Sequence, residues 1–120
     1  MIALTTPGTK TMTKTFFALA CAAGLAAAPA LAADVEAGKR KAEEVCKACH
    51  GEGGAKPIMP QTPILAGQYE DYLIHALESY KSGARQNAMM SPMAQPLSDA
   101  DIRNLAAYFS QQPPGVQVKY

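Results

Sequence analysis

Residues 46–50 read Cys-Lys-Ala-Cys-His, and no other stretch constrains the fold as tightly. C-x-x-C-H is the signature of covalent haem attachment. Two thiols three residues apart on a helical turn can each bond one vinyl group on the same edge of a flat porphyrin. The adjacent imidazole then projects under the iron. Three other chemistries use parts of the motif. A dithiol redox pair expects a thioredoxin-like βαβ pattern, and no segment of this chain alternates like a strand. A structural zinc site needs four soft ligands, and with the N-terminal segment set aside the chain offers only His75 beyond the motif. A plain disulfide leaves His50 without a role. The motif therefore predicts one haem c, held through Cys46 and Cys49, with His50 as an iron ligand.

The N-terminal third reads as an address and not as part of the fold. Lys10 and Lys14 precede an uncharged run at 15–33, and Ala30-Leu31-Ala32 closes it. A basic start, an apolar middle and a small-x-small end make a secretory signal peptide. The run is mostly Ala and holds Gly24 and Pro29, so it is a marginal membrane span. The expectation is a signal peptide at 1–32, with Met12 as an alternative start of translation, and a working domain at 33–120. Cys21 lies in the leader and does not fit a leucine-led lipoprotein site. Cleavage after Ala32 leaves 88 residues and takes Lys10 and Lys14 from a total of 11 Lys and Arg, against 10 Asp and Glu. The net charge moves from +1 to −1, which excludes the basic excess of a nucleic-acid binder. A domain this short is usually poor in core without a staple or a cofactor.

Periodicity places three helices in the remainder. The first runs from about Val35 to Cys46, with Asp34 as N-cap. Gly38 within it disfavours helix and invites close approach by another helix. Residues 51–68 hold Gly51, Gly53, Gly54 and Gly67 with Pro57, Pro60 and Pro63, a composition that reads as a long irregular loop. The second helix spans Tyr69 to Ser82, with Tyr69, Tyr72, Leu73, Ala76, Leu77 and Tyr80 as one apolar stripe. Gly83 is placed as its left-handed cap. Residues 84–96 read as a second irregular loop that carries Met89, Met90 and Met93. Ser98 and Asp101 form a capping box for the last helix, flanked by Leu97 and Ile102 as a hydrophobic staple. Ile102, Leu105, Ala106 and Phe109 form its buried face, and Pro113-Pro114 ends it. The methionine loop is well separated from His50, and Met is a favoured partner of His on haem iron.

The stretches AGKRKAEEVCKACHG, PILAGQYEDYLIHALESYKSGAR and MMSPMAQPLSDADIRNLAAYFS together resemble the class I c-type cytochromes of the small bacterial kind. The resemblance covers nearly all of residues 33–111. It implies an all-α cytochrome c fold: three main helices and two haem-wrapping loops around one covalent haem, with His/Met ligation. It also implies Met90 as the axial sulfur, with Met93 second and Met89 third. By the same resemblance the Pro63 carbonyl accepts the other imidazole N–H of His50, Asn87 donates to the Met sulfur, and Arg85 approaches a haem propionate. Gly38 is expected to meet the last helix near Tyr108 or Phe109.

The function expected from all this is a periplasmic one-electron carrier. With both axial positions of the iron filled, no substrate binds the metal and the protein is not an enzyme. Its partners are redox proteins that dock transiently at the haem edge, near Lys47 and Lys56, with no nucleic acid and no stable membrane insertion after cleavage. Two alternatives stay open: a haem subunit of a dehydrogenase or oxidase complex, and an open-site, peroxidase-like haem protein.

Overall fold

The computed structural model describes residues 32–115. The expected leader, the start at Met12 and Cys21 lie outside the described residues. Five helices follow one another: α1 (Val35–Val45), α2 (Lys47–His50), α3 (Glu70–Ser82), α4 (Met90–Ala94) and α5 (Asp99–Ser110), with a 3-10 turn at Glu52–Gly54. Among the described residues there is no strand.

The frame is α1 packed on α5, the most extensive helix contact in the fold. Two local features set it. Asp34 caps α1 by accepting from the Ala37 N–H at 2.9 Å, and its own N–H donates to Asn104 Oδ1 of α5 at 2.8 Å. One turn later, buried Gly38 lies against the same region of α5. A Cβ at Gly38 would overlap the Asn104 carbonyl oxygen and sit 3.0 Å from Tyr108 Cβ. The backbones approach this closely only because no side chain intervenes. α5 begins with the full capping box: Asp101 N–H donates to Ser98 Oγ at 3.0 Å and Ser98 N–H donates to Asp101 Oδ2 at 2.9 Å. Leu97 and Ile102, on either side of the cap, are both buried. The core gathers along α5 from Ile102 to Phe109, with Ala42 of α1 and Leu73 of α3 against it.

Three elements differ from the sequence reading. Met90–Ala94 is helical, although it falls inside the expected irregular loop. The reason is a local cap: Asn87 Oδ1 accepts from the N–H groups of Met89 and Met90 at 2.9 and 3.0 Å. Pro92 falls in the first turn, where its missing N–H has no intrahelical partner to lose. Tyr69 is the N-cap residue of α3 and not part of its stripe; it is 78% exposed. The first helix ends at Val45, and Cys46 turns the chain into α2. Gly83 caps α3 in the left-handed region at φ 81°, as its placement implied.

The long loop between α2 and α3 is pinned at several points. Ile58 N–H donates to the Cys49 carbonyl at 3.0 Å, Leu65 N–H to Gly54 at 2.8 Å and Gly67 N–H to Phe109 at 2.9 Å. These bonds hold the Pro63 region against the motif and against the end of α5.

Candidate functional site

The loops and helices enclose a cavity of about 880 Å³. Cys46, Cys49 and His50 line it from the α1–α2 junction, and Met89, Met90 and Met93 line it from the other loop and α4. α3 contributes Tyr72, Leu73, Ala76, Leu77 and Tyr80, which is the expected stripe without Tyr69. Leu105 and Phe109 of α5 close the inner wall. The sequence pattern therefore turns its apolar faces toward a cavity as well as toward a core, which explains why Tyr72, Met89 and Met93 remain exposed.

Among the described residues His50 is the one buried polar residue other than the core tyrosine Tyr108, at 5% exposure. Its Nδ1 lies 2.8 Å from the Pro63 carbonyl oxygen. A carbonyl only accepts, so Nδ1 carries the proton and Nε2 keeps its lone pair. That is the tautomer of a metal-binding imidazole, and the carbonyl also fixes the ring and raises its basicity. The Cys46 thiol packs against the core, and burial pushes it up to about 11, with the neighbouring Cys49 adding to the effect and Lys41 opposing it. A reactive dithiol needs a lowered thiol pKa, so this setting disfavours the redox-pair chemistry. Among the described residues no group of three or more His, Cys, Asp or Glu could hold a metal ion by itself.

Arg85 and Asn87 also line the cavity, in settings that sequence reasoning did not anticipate. The Arg85 guanidinium lies 4.8 Å from the centroid of the Tyr80 ring, a cation–π contact. Hydrogen bonding to Tyr72, then the charge of Tyr80, pushes the Arg85 pKa above its ordinary value. Tyr72, Tyr80 and Arg85 thus form a polar corner in an otherwise apolar wall. Its signal was the choice of Tyr at two stripe positions where Leu would serve packing equally well. Asn87 spends its side-chain oxygen on capping α4, which orients Met90. His75, Lys47 and Lys56 are exposed and do not line the cavity.

Two thiols, one imidazole of fixed tautomer and a row of thioethers along one apolar cavity are a donor set suited to a covalent haem. A cavity of about 880 Å³ has room for a macrocycle. Comparison with known proteins agrees: residues 35–113 match the family model for cytochrome c. The chain belongs to the cytochrome c family. A cytochrome c4 from Thiocapsa roseopersicina is 46% identical over 88 residues, which is 73% of this chain and 44% of that protein. A protein of Thiomonas intermedia named thiosulfate dehydrogenase electron acceptor is 48% identical over 69 residues, 58% of this chain and 32% of its own. The crystal structure of reduced recombinant cytochrome c4 from Pseudomonas stutzeri superposes with a TM-score of 0.63 at 41% identity, covering 69% of this chain and 47% of that one. The chain spans about half the length of the cytochrome c4 relatives it matches. Membership of this family brings the all-α cytochrome c fold and a covalently bound haem c with its iron, for which Cys46 and Cys49 are the attachment residues of the motif.

Proposed function

We propose that this cytochrome c is a periplasmic one-electron carrier with His50 and Met90 as axial ligands. The observation that carries the reading is the buried His50, fixed by the Pro63 carbonyl, in one cavity with both cysteines and Met90. Haem iron, when bound, supplies the one-electron couple between its ferric and ferrous forms. The chain's own residues set the conditions. Pro63 holds the imidazole in the ligating tautomer. Asn87 fixes the backbone of Met90, and Met93 stands one turn further along α4 as the second choice. The apolar walls supply a low dielectric around the group, one of the levers on its potential. The Tyr72–Arg85 corner offers hydrogen bonds and a positive charge suited to a propionate. The apolar leader run supports export to the periplasm. An electron-donating dehydrogenase, of the kind named for the Thiomonas relative, fits as a partner.

Ferric absorption spectra of holoprotein variants test the ligation. Met90→Ala is expected to abolish the long-wavelength band of sulfur–iron bonding and to lower the reduction potential. Met93→Ala is expected to leave both in place. If the band survives in the Met90 variant, the assignment is wrong; if it is lost only in the Met93 variant, the second choice holds.

A further inference from the structure

A second concavity, of about 540 Å³, is lined by α1, the 3-10 turn and the residues after α5. Its charged and polar residues are Glu36, Lys39, Glu43, Glu52, Tyr108 and Gln112. Glu36, Glu43 and Glu52 make no ion pair among the described residues, whereas Glu44 and Asp99 are each paired with a lysine. Lys39 offsets only one of the three charges. The haem cavity has the opposite character: no Asp, Glu or Lys lines it, and Arg85 is its one charged residue. Of the two linings, acidic residues thus occur in the groove and are absent from the haem cavity.

Tyr108 gives the groove a specific polar point. It is 8% exposed, and its hydroxyl makes no hydrogen bond among the described residues. Tyr108 is also one of the residues that line the groove. Its ring contacts Phe109, with centroids 5.2 Å apart. Phe109 lines the haem cavity while Tyr108 lines the groove, so two touching aromatic rings connect the two concavities.

We propose that this groove is a second docking face, which seats a lysine- or arginine-bearing segment of a partner protein. The carboxylates are too dispersed to chelate one metal ion, and no metal-holding group exists there among the described residues. Dispersed carboxylates around a shallow concavity suit several cationic side chains on one segment. The unpaired Tyr108 hydroxyl accepts a hydrogen bond from an ammonium or guanidinium. A partner seated here is linked to the haem cavity by the Tyr108–Phe109 pair. That use for electron exchange rests on the carrier reading; the binding itself does not.

The test uses pentalysine as probe and the reduced, isotope-labelled holoprotein, followed by amide chemical shifts at low ionic strength. The expected result is saturable binding with the largest shifts at Glu36, Gly53, Ala55 and Gln112. The triple variant Glu36→Gln, Glu43→Gln, Glu52→Gln should bind about tenfold more weakly, three exposed charge contacts being lost together. Glu70→Gln with Asp71→Asn, an acidic pair outside the groove, should bind as the wild type does. Unchanged haem absorbance in each variant shows that the fold is kept. The proposal is overturned if the shifts centre on Glu70 and Asp71, or if the triple variant binds as tightly as the parent.

Discussion

At the scale of single residues, the chain uses backbone acceptors and short polar side chains to aim its functional groups. Pro63 does this for His50 through a carbonyl, and Asn87 does it for Met90 through a side-chain oxygen. The second device can be tested without touching a ligand. Asn87→Ala removes the acceptor for two N–H groups and should cost about 1 kcal/mol, as loss of a helix cap does. Asn87→Asp keeps an acceptor oxygen and should retain most of the stability. Urea unfolding of the two holoproteins distinguishes them, and equal loss in both would show that the amide's NH₂ group, not its oxygen, is what matters. The motif Cys46, Cys49 and His50 was legible from spacing alone, because covalent attachment demands fixed residue types in one turn. The Pro63–His50 pairing was legible only through family resemblance, since nothing in the spacing of the two residues specifies contact. The resemblance tied Asn87 to the Met sulfur as a donor; the hold of its side-chain oxygen on the Met90 N–H was not foreseen, because an Asn side chain serves equally well as a cap, a turn former or a donor.

At the scale of elements, legibility followed locality. The start of α5 was readable to the residue, because its cap and staple lie within residues 97–102; its end at Ser110 and the burial of Ala107 and Tyr108 were not. α4 was hidden, because five residues with a proline carry too little periodicity for a helix to show. The α1–α5 contact was foreshadowed by one glycine. Gly38→Ala places a methyl group onto the Asn104 carbonyl, so the helices must separate. Helix propensity alone favours Ala by about 1 kcal/mol, but overpacking costs about 1–3 kcal/mol and a forced backbone shift lies at the high end. A net loss of stability, read by thermal unfolding, is the expected outcome; a gain would mean that the contact yields easily.

The capping box adds a pH dependence at the same scale. Hydrogen bonding from Ser98 holds the Asp101 carboxyl below its ordinary value, opposed by slight desolvation and helped by Lys41 and Lys81. A lowered folded-state pKa means a contribution fully present above the unfolded value and lost as pH falls through the folded one. The stabilisation therefore persists at neutral pH and disappears in the acid range below the ordinary Asp value. Ser98→Ala should destabilise by about 1 kcal/mol at pH 7. Its difference from the wild type should shrink below that range. A constant difference down to the lowest pH at which the protein folds would contradict the link to Asp101.

At the scale of the whole molecule, the same apolar residues serve a core and a cavity, and the core is small. Ile102 and Leu105 are the largest side chains that are fully buried. Much of the apolar surface on α3, on α4 and in the long loop lies on the cavity wall. A domain of this size buries only about 60% of its unfolded surface, so few contacts can be given up. Burying that wall against a covalent group couples cofactor attachment to folding, as for any ligand that binds only the native state. The coupling is uneven across the fold. The α1–α5 contact is held by Gly38, Asn104 and the Asp34 cap, all away from the cavity. α3 and α4 rest on the wall itself. Residues 33–120, expressed in cells that do not attach haem, should therefore retain helical signal from α1 and α5. It should lack a cooperative thermal transition by near-ultraviolet dichroism, and its amides in α3 and α4 should exchange fastest. A sharp transition in that apo chain, with α3 protected as well as α5, would show that protein–protein packing alone holds the fold.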